Sequence, residues 1–232
     1  MRYFALASDY DGTLATHGEV TPSTLAALER FIASGRKLVM VTGRELDELI
    51  SVFPRLDLFH AVVAENGALL DRPATKEERK LADPPPPGFV ERLRARGIER
   101  ISVGRVIVAT WEPHEATVLD VIKEMGLELQ VIFNKGAVMI LPAGVNKGTG
   151  LAEALHDLGL SLEHTVGVGD AENDHAFLRA CACGVAVANA LPSLKDEADL
   201  VTRASHGDGV TELIDRMIED DLGDLTPRQR KR

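Results

Sequence analysis

Aromatic residues are scarce, 4% of the 232 residues, so any core must be aliphatic. There are two cysteines, Cys181 and Cys183, one residue apart in an apolar run. That is neither a disulfide framework nor a set of pairs at zinc spacing, and it reads as two small core residues. Positive charge is in deficit: 26 Lys and Arg stand against 36 Asp and Glu, a net charge of −10. Such an acidic balance argues against nucleic acid as a partner. It also demands local positive charge wherever an anionic ligand binds. No apolar run reaches membrane length, and no basic-apolar-small leader pattern opens the sequence. The expectation is a cytoplasmic protein with no membrane partner. What is present, 45% hydrophobic and 27% charged residues, is the balance of a folded globular chain, long enough for one large domain or a core plus a small second one.

Short apolar runs alternate with helical patterns. Strand-like runs cover residues 3–8, 37–41, 61–64, 165–169, 184–187 and 199–202. Pro22 to Ser34 reads as a helix, with Thr21 as N-cap, Pro22 at the first position, an apolar stripe of Leu25, Leu28, Phe31 and Ile32, and Gly35 as the stop. Strands that are apolar throughout, separated by helices, predict a parallel sheet covered on both faces.

The middle of the chain departs from this rhythm. Pro84 to Pro87 reads as a stiff extended linker. After it the patterns predict a helix over 89–96, a strand over about 101–110, a helix over 113–125, and strands over 128–133 and 137–141 joined by Asn134-Lys135-Gly136. Strands joined that tightly must be antiparallel. The expected fold class is therefore α/β: a Rossmann-like parallel sheet core, residues 1–83 and 144–222, with a small inserted α+β unit over 84–143. Residues 223–232 are expected to be a frayed polar tail.

Ligands of open parallel sheets bind beyond the carboxyl ends of the strands. Asp9, Asp11, Gly12 and Thr13 follow the first core strand. Thr42, Gly43 and Arg44 follow the second, and Glu65, Asn66 and Gly67 the third. Asp170, Glu172, Asn173 and Asp174 follow the fourth, and Lys147 opens a helix after the insert. Each has an ordinary alternative. Asp11-Gly12 suits a tight turn, Thr42 and Asp170 suit helix N-caps, and Lys147 could be a surface lysine. Gly167-x-Gly169 hints at a dinucleotide loop but lacks the third glycine. Taken together, however, Asp9, Asp11, Asp170 and Asp174 would crowd one end of one sheet. Two carboxylates about 4 Å apart repel by roughly 4 kcal/mol at an effective dielectric of 20. A hard cation such as Mg²⁺ would neutralise them through oxygen ligands. Thr42, Gly43 and Lys147 supply the hydroxyl, amide and ammonium of a phosphate cradle.

DYDGT (9–13), VTGR (41–44), the isolated Lys147 and GDAEND (169–174) resemble, in order and spacing, the four motifs of the haloacid dehalogenase superfamily. VVAENGALL (62–70) and GVAVANALPSLKDEADLVT (184–202) look like its sugar-phosphatase branch, subclass IIB or Cof-like. That branch carries a cap domain between the second and third motifs, where the insert 84–143 lies. The short insert is closer to the archaeal phosphoglycolate phosphatase and sucrose-phosphate phosphatase types. The resemblance implies Asp9 as nucleophile and Asp11 as general acid and base. It implies Thr42 and Lys147 on the phosphoryl group, with Asn173 orienting the site. Magnesium would be held by Asp9, the Asp11 backbone carbonyl and Asp170, with Asp174 in support.

The expected function is a magnesium-dependent phosphatase acting on a small phosphorylated metabolite, phosphoglycolate or a sugar phosphate, through an aspartyl-phosphate. Splitting a hard hydrolysis into two steps suits a reaction that enzymes accelerate by up to ~10²¹. A phosphotransferase or phosphomutase, and a non-catalytic phosphometabolite-binding module, are the alternatives. A monomer or homodimer is expected. Arg44 could face the site or pair with an acidic neighbour. Within the insert, Arg105, Trp111, Glu112, His114, Asn134 and Lys135 are candidates for substrate selection, although Trp111 also suits the insert's own core.

Overall fold

The structure, a computed structural model, describes residues 1–223 and 225. Of the tail expected over 223–232, residues 224 and 226–232 lie outside the described residues. In chain order the first elements are β1 (Ala5–Ser8), α1 (Pro22–Ala33), β2 (Lys37–Val41), α2 (Leu46–Val52), β3 (Ala61–Ala64), β4 (Leu69–Arg72) and β5 (Glu77–Lys80). The insert holds α3 (Phe89–Ala95), β6 (Ser102–Val103), β7 (Val108–Trp111), α4 (Glu115–Glu124), β8 (Leu129–Asn134) and β9 (Ala137–Pro142). Then follow α5 (Lys147–Asp157), β10 (Thr165–Gly169), α6 (His175–Ala180), β11 (Cys183–Ala186), α7 (Pro192–Glu197), β12 (Leu200–Val201) and α8 (His206–Asp220).

Eight strands form the main sheet in the order β12-β11-β10-β1-β2-β3-β4-β5. The six on the β12-to-β3 side are parallel, as their continuous apolar runs predict. β1 is buried on every residue, and truncating a fully buried leucine such as Leu6 would cost about 2–5 kcal/mol. Cys181 and Cys183 are both buried, as expected for core residues. Thr21 caps α1 through its side chain and Pro22 opens it, also as expected.

Two strands were not legible. β4 and β5 extend the sheet antiparallel. The chain reverses after β3 because Glu65 and Asn66 both take left-handed backbone, φ 51° and 55°. β5 reads EERK and is exposed throughout, so it carries no apolar signal.

The second sheet is antiparallel, in the order β6-β7-β9-β8. It has its own core, in which Phe89, Leu93, Val118 and Val121 of α3 and α4 meet Val138 and Ile140 of β9. The single strand expected over 101–110 is instead two. The chain turns at Gly104, whose amide donates to the Ile107 carbonyl. A side chain at Gly104 would put its Cβ 2.7 Å from the Glu65 carboxylate, so the turn needs glycine. Among the described residues, no helix is long and apolar enough to cross a membrane.

Candidate active site

The site follows from the parallel pairing. β1 lies between β2 and β10, with Ser8 level with both Met40 and Val168. The residues that leave these strands therefore emerge side by side. The Asp9 amide donates to the Val168 carbonyl at 3.0 Å, which brings Asp9 next to the β10 loop and Asp170.

Lys147 is no surface lysine. It is 1% exposed and opens α5, which Asn146 and Thr149 cap. Its Nζ donates to Asp9 Oδ1 at 2.6 Å and to Asp174 Oδ1 at 2.5 Å. Burial lowers the Lys147 pKa, but the Asp174 and Asp9 carboxylates outweigh that and leave it raised. Burial, with Asp174 and Asp170 nearby, pushes Asp9 up despite Lys147. Asp174 is fully occupied: its Oδ2 accepts the Asp170 and Ala171 amides at 2.8 and 2.9 Å. That anchors the loop carrying Asp170.

Carboxylate oxygens of Asp9, Asp170 and Asp174 lie within 4.8 Å of one another. Burial also raises Asp170, while Lys135 pulls it down. The donors are all oxygens, they are buried, and their charge is only partly balanced. This set fits a hard divalent cation. Asp170 Oδ1 accepts the Thr13 hydroxyl. Its Oδ2 accepts Lys135 Nζ at 2.8 Å, and the same ammonium donates to the Asp11 carbonyl oxygen at 2.7 Å.

The Asp11 carboxylate turns away from this group. It is held by Arg44, Nε to Oδ2 at 2.6 Å and Nη2 to Oδ1 at 2.8 Å. Arg44 thus does both things the sequence allowed: it lines the site and pairs with an acidic neighbour. Thr42 is buried at the end of β2, where its hydroxyl accepts the Arg44 amide. Gly43 faces Met139 and Asn173 closely enough that a Cβ would lie 3.0 Å from Met139 Cε. Asn173 Nδ2 donates to Asn66 Oδ1 at 2.9 Å, leaving Asn173 Oδ1 and Asn66 Nδ2 buried without partners.

Between the sheet end and the insert lies a cavity of about 220 Å³. Asp9, Asp11 and Asn173 line one side; Trp111, Asn134 and Met139 of the insert line the other. Of the other insert candidates, Lys135 meets the Asp170 carboxylate and the Asp11 backbone carbonyl directly. Arg105 does not reach the cavity, because it pairs with Asp47 and Glu78 at the outer rim. Glu112 and His114 do not line it either. Glu172 is exposed, and Gly67 packs against Asn146.

Sequence reasoning marked Glu65 without its role and missed two further supports, Asn189 and His206. Glu65, fully buried, accepts the backbone amides of Arg105, Val106 and Ile107 at 2.7–2.9 Å, tying the sheet to the insert. Its left-handed φ is visible only in the fold. Asn189 and His206, from loops far along the chain, both reach the Gly12 carbonyl and brace the turn after Asp11.

The profile of the haloacid dehalogenase-like hydrolases matches residues 6–84 and 105–214. The chain belongs to this family. Among its relatives, phosphoglycolate phosphatase 2 of Saccharolobus solfataricus is 33% identical over 94% of both chains. Phosphoglycolate phosphatase of Methanothermobacter thermautotrophicus is 30% identical over 92% of this chain and 98% of its own. A haloacid dehalogenase-like hydrolase from Bacteroides thetaiotaomicron superposes with a TM-score of 0.76 at 19% identity, covering 93% and 99% of the two chains. A sugar phosphatase of HAD subclass IIB does so with a TM-score of 0.75 at 22% identity, covering 92% and 98%. The main sheet and its insert are thus the fold of this haloacid dehalogenase-like group.

Proposed function

We propose that this protein is a magnesium-dependent phosphatase that hydrolyses a small organic phosphate monoester, phosphoglycolate before sugar phosphates, through an aspartyl-phosphate on Asp9. The hydrolase class follows from the family. The preference for phosphoglycolate rests on the names of relatives at least 30% identical to this chain.

The observation that carries the reading is the Asp9 carboxylate, aligned by Lys147 at 2.6 Å and open to the cavity. A carboxylate needs no deprotonation before it attacks phosphorus. Its oxygen would form the bond to phosphorus as the ester oxygen leaves. Asp11, two residues on and on the same cavity wall, would give that oxygen its proton and then take one from the water whose oxygen bonds to phosphorus as the Asp9 oxygen leaves. Thr42, Gly43 and Lys147 would hold the phosphoryl oxygens, with Asn173 orienting them. Asp9, Asp170 and the Asp11 carbonyl would hold magnesium, with Asp174 fixing the Asp170 loop from behind. When bound, magnesium neutralises phosphoryl charge. The insert over 84–143 would act as a cap that covers the site and excludes water.

The test is phosphate release from a panel containing phosphoglycolate and hexose phosphates, with and without Mg²⁺. Magnesium-dependent turnover led by phosphoglycolate, and lost in Asp9→Asn, is expected. Turnover that survives Asp9→Asn would overturn the assignment.

A further inference from the structure

Lys135 sits at the tip of the β8–β9 hairpin, in the two-residue turn Lys135-Gly136, with φ 48°. The turn defines where this side chain goes. It crosses to the main sheet, where its ammonium lies 2.7 Å from the Asp11 carbonyl oxygen and 2.8 Å from Asp170 Oδ2. These are two of the oxygens assigned above to the cation. A Cβ at Gly12 would lie 2.6 Å from the same Nζ, so the backbone beside it is bare where the ammonium approaches.

From these contacts we infer that Lys135 competes with the divalent cation for Asp11 and Asp170 and latches the cap onto the cation-free site. The inference rests on the magnesium reading above. The Lys135 ammonium bridges the Asp11 carbonyl and Asp170 Oδ2, the place a cation held by both would take: magnesium needs its oxygens at about 2.0–2.1 Å, and an ammonium so close would be repelled by the doubled charge. Binding the metal therefore lifts the hairpin tip from these oxygens.

Two of the cap's attachments differ in kind. Glu65, 0% exposed, holds the Arg105–Ile107 segment through three backbone amides. Lys135 is 46% exposed, and these two oxygens are the partners of its ammonium. The first contact excludes water and persists; the second is open to exchange with ions from solvent. Glu65 is the fixed edge and Lys135 the releasable one. Apparent metal affinity in the free protein is reduced by the fraction of molecules that are latched.

The test is calorimetric titration of MgCl₂ into wild type and Lys135→Asn, without substrate. Asparagine tolerates the left-handed turn, lacks the charge and is too short to reach Asp170. About tenfold tighter Mg²⁺ binding in the variant is expected, the size of a latch closed in roughly nine molecules of ten. Trp111, the single tryptophan, lines the cavity on the cap side. Its fluorescence should change with Mg²⁺ in wild type, and Lys135→Asn should show the changed signal before any Mg²⁺ is added. Equal or weaker Mg²⁺ binding in the variant would overturn the latch while leaving the magnesium reading intact. Absence of Mg²⁺ binding by both proteins would overturn the magnesium reading and the latch with it.

Discussion

Arg44 grips both carboxylate oxygens of Asp11, and its remaining nitrogen reaches Glu48 at 2.5 Å. The guanidinium thus stands between two carboxylates on one wall of the cavity. Bidentate pairing of this kind fixes orientation as well as charge. Arg44→Ala would leave Asp11 unheld and the wall more negative toward an anionic substrate. The expected outcome is a fall in kcat/KM of about 10–100-fold, consistent with losing a charged hydrogen-bonded pair. Glu48→Gln, on the more exposed side of the same guanidinium, should stay within about twofold. Steady-state kinetics on the two variants checks both.

The Glu65 carboxylate replaces water for three amides of the insert. Glu65→Ala would leave them without their acceptor and open a void beside Gly104. A loss of about 2–4 kcal/mol is expected, from buried donors left unpaired. Urea denaturation measures the loss. Limited proteolysis of the folded variant should cut first around Pro84 to Gly88, the stretch that leads into the insert.

Lys147 is the buried counter-charge of the acidic group. Lys147→Met would leave Asp9 and Asp174 facing each other without it. A destabilisation of about 3–5 kcal/mol is expected, because uncompensated buried charge is expensive. Mg²⁺ should raise the Tm of this variant more than that of wild type, since the cation then supplies the missing positive charge. Thermal unfolding with and without Mg²⁺ reads the difference.

At the far end of the sheet, Asp221 joins the chain start to α8. Burial raises its pKa, but the Arg2 and Tyr3 amides and the Arg36 guanidinium outweigh burial and hold it below the ordinary 3.8. A depressed carboxylate adds stability that is fully present above its unfolded value and is lost as pH falls through the folded value. Asp221→Asn should therefore be less stable than wild type at pH 7. The gap should close once pH has fallen below the folded-state value, which itself lies under 3.8. Urea midpoints at the two pH values test the sign.

Much of this was legible because the parallel core writes itself in continuous apolar runs. Each strand of that core also ends in a polar loop that can only point to one face. Asp9 and Asp170 could be placed at one end of the sheet from the strands they follow, whereas Lys147, which opens a helix, was tied to them by the chemistry of a phosphate cradle and by the family resemblance. What stayed hidden lacked a periodic signal. β5 is charged and exposed, so nothing in EERK marks a sheet edge. Glu65 looked like one more polar residue after a strand, and its contact with the insert exists only after two left-handed residues turn the chain. Arg105 looked available to the substrate, yet Asp47 and Glu78, distant in sequence, take its guanidinium outward. Asp174 stands with Asp9 and Asp170 as the sequence led one to expect, but its second task, holding Lys147 and the loop amides, was not legible.

The most direct test of the phosphatase reading is a rapid acid quench of the enzyme during turnover of ³²P-labelled phosphoglycolate with Mg²⁺, followed by peptide mapping. Label on the peptide containing Asp9, absent from Asp9→Asn, is the result the account predicts. Turnover with no label on Asp9 at any quench time, or undiminished turnover by Asp9→Asn, would contradict it.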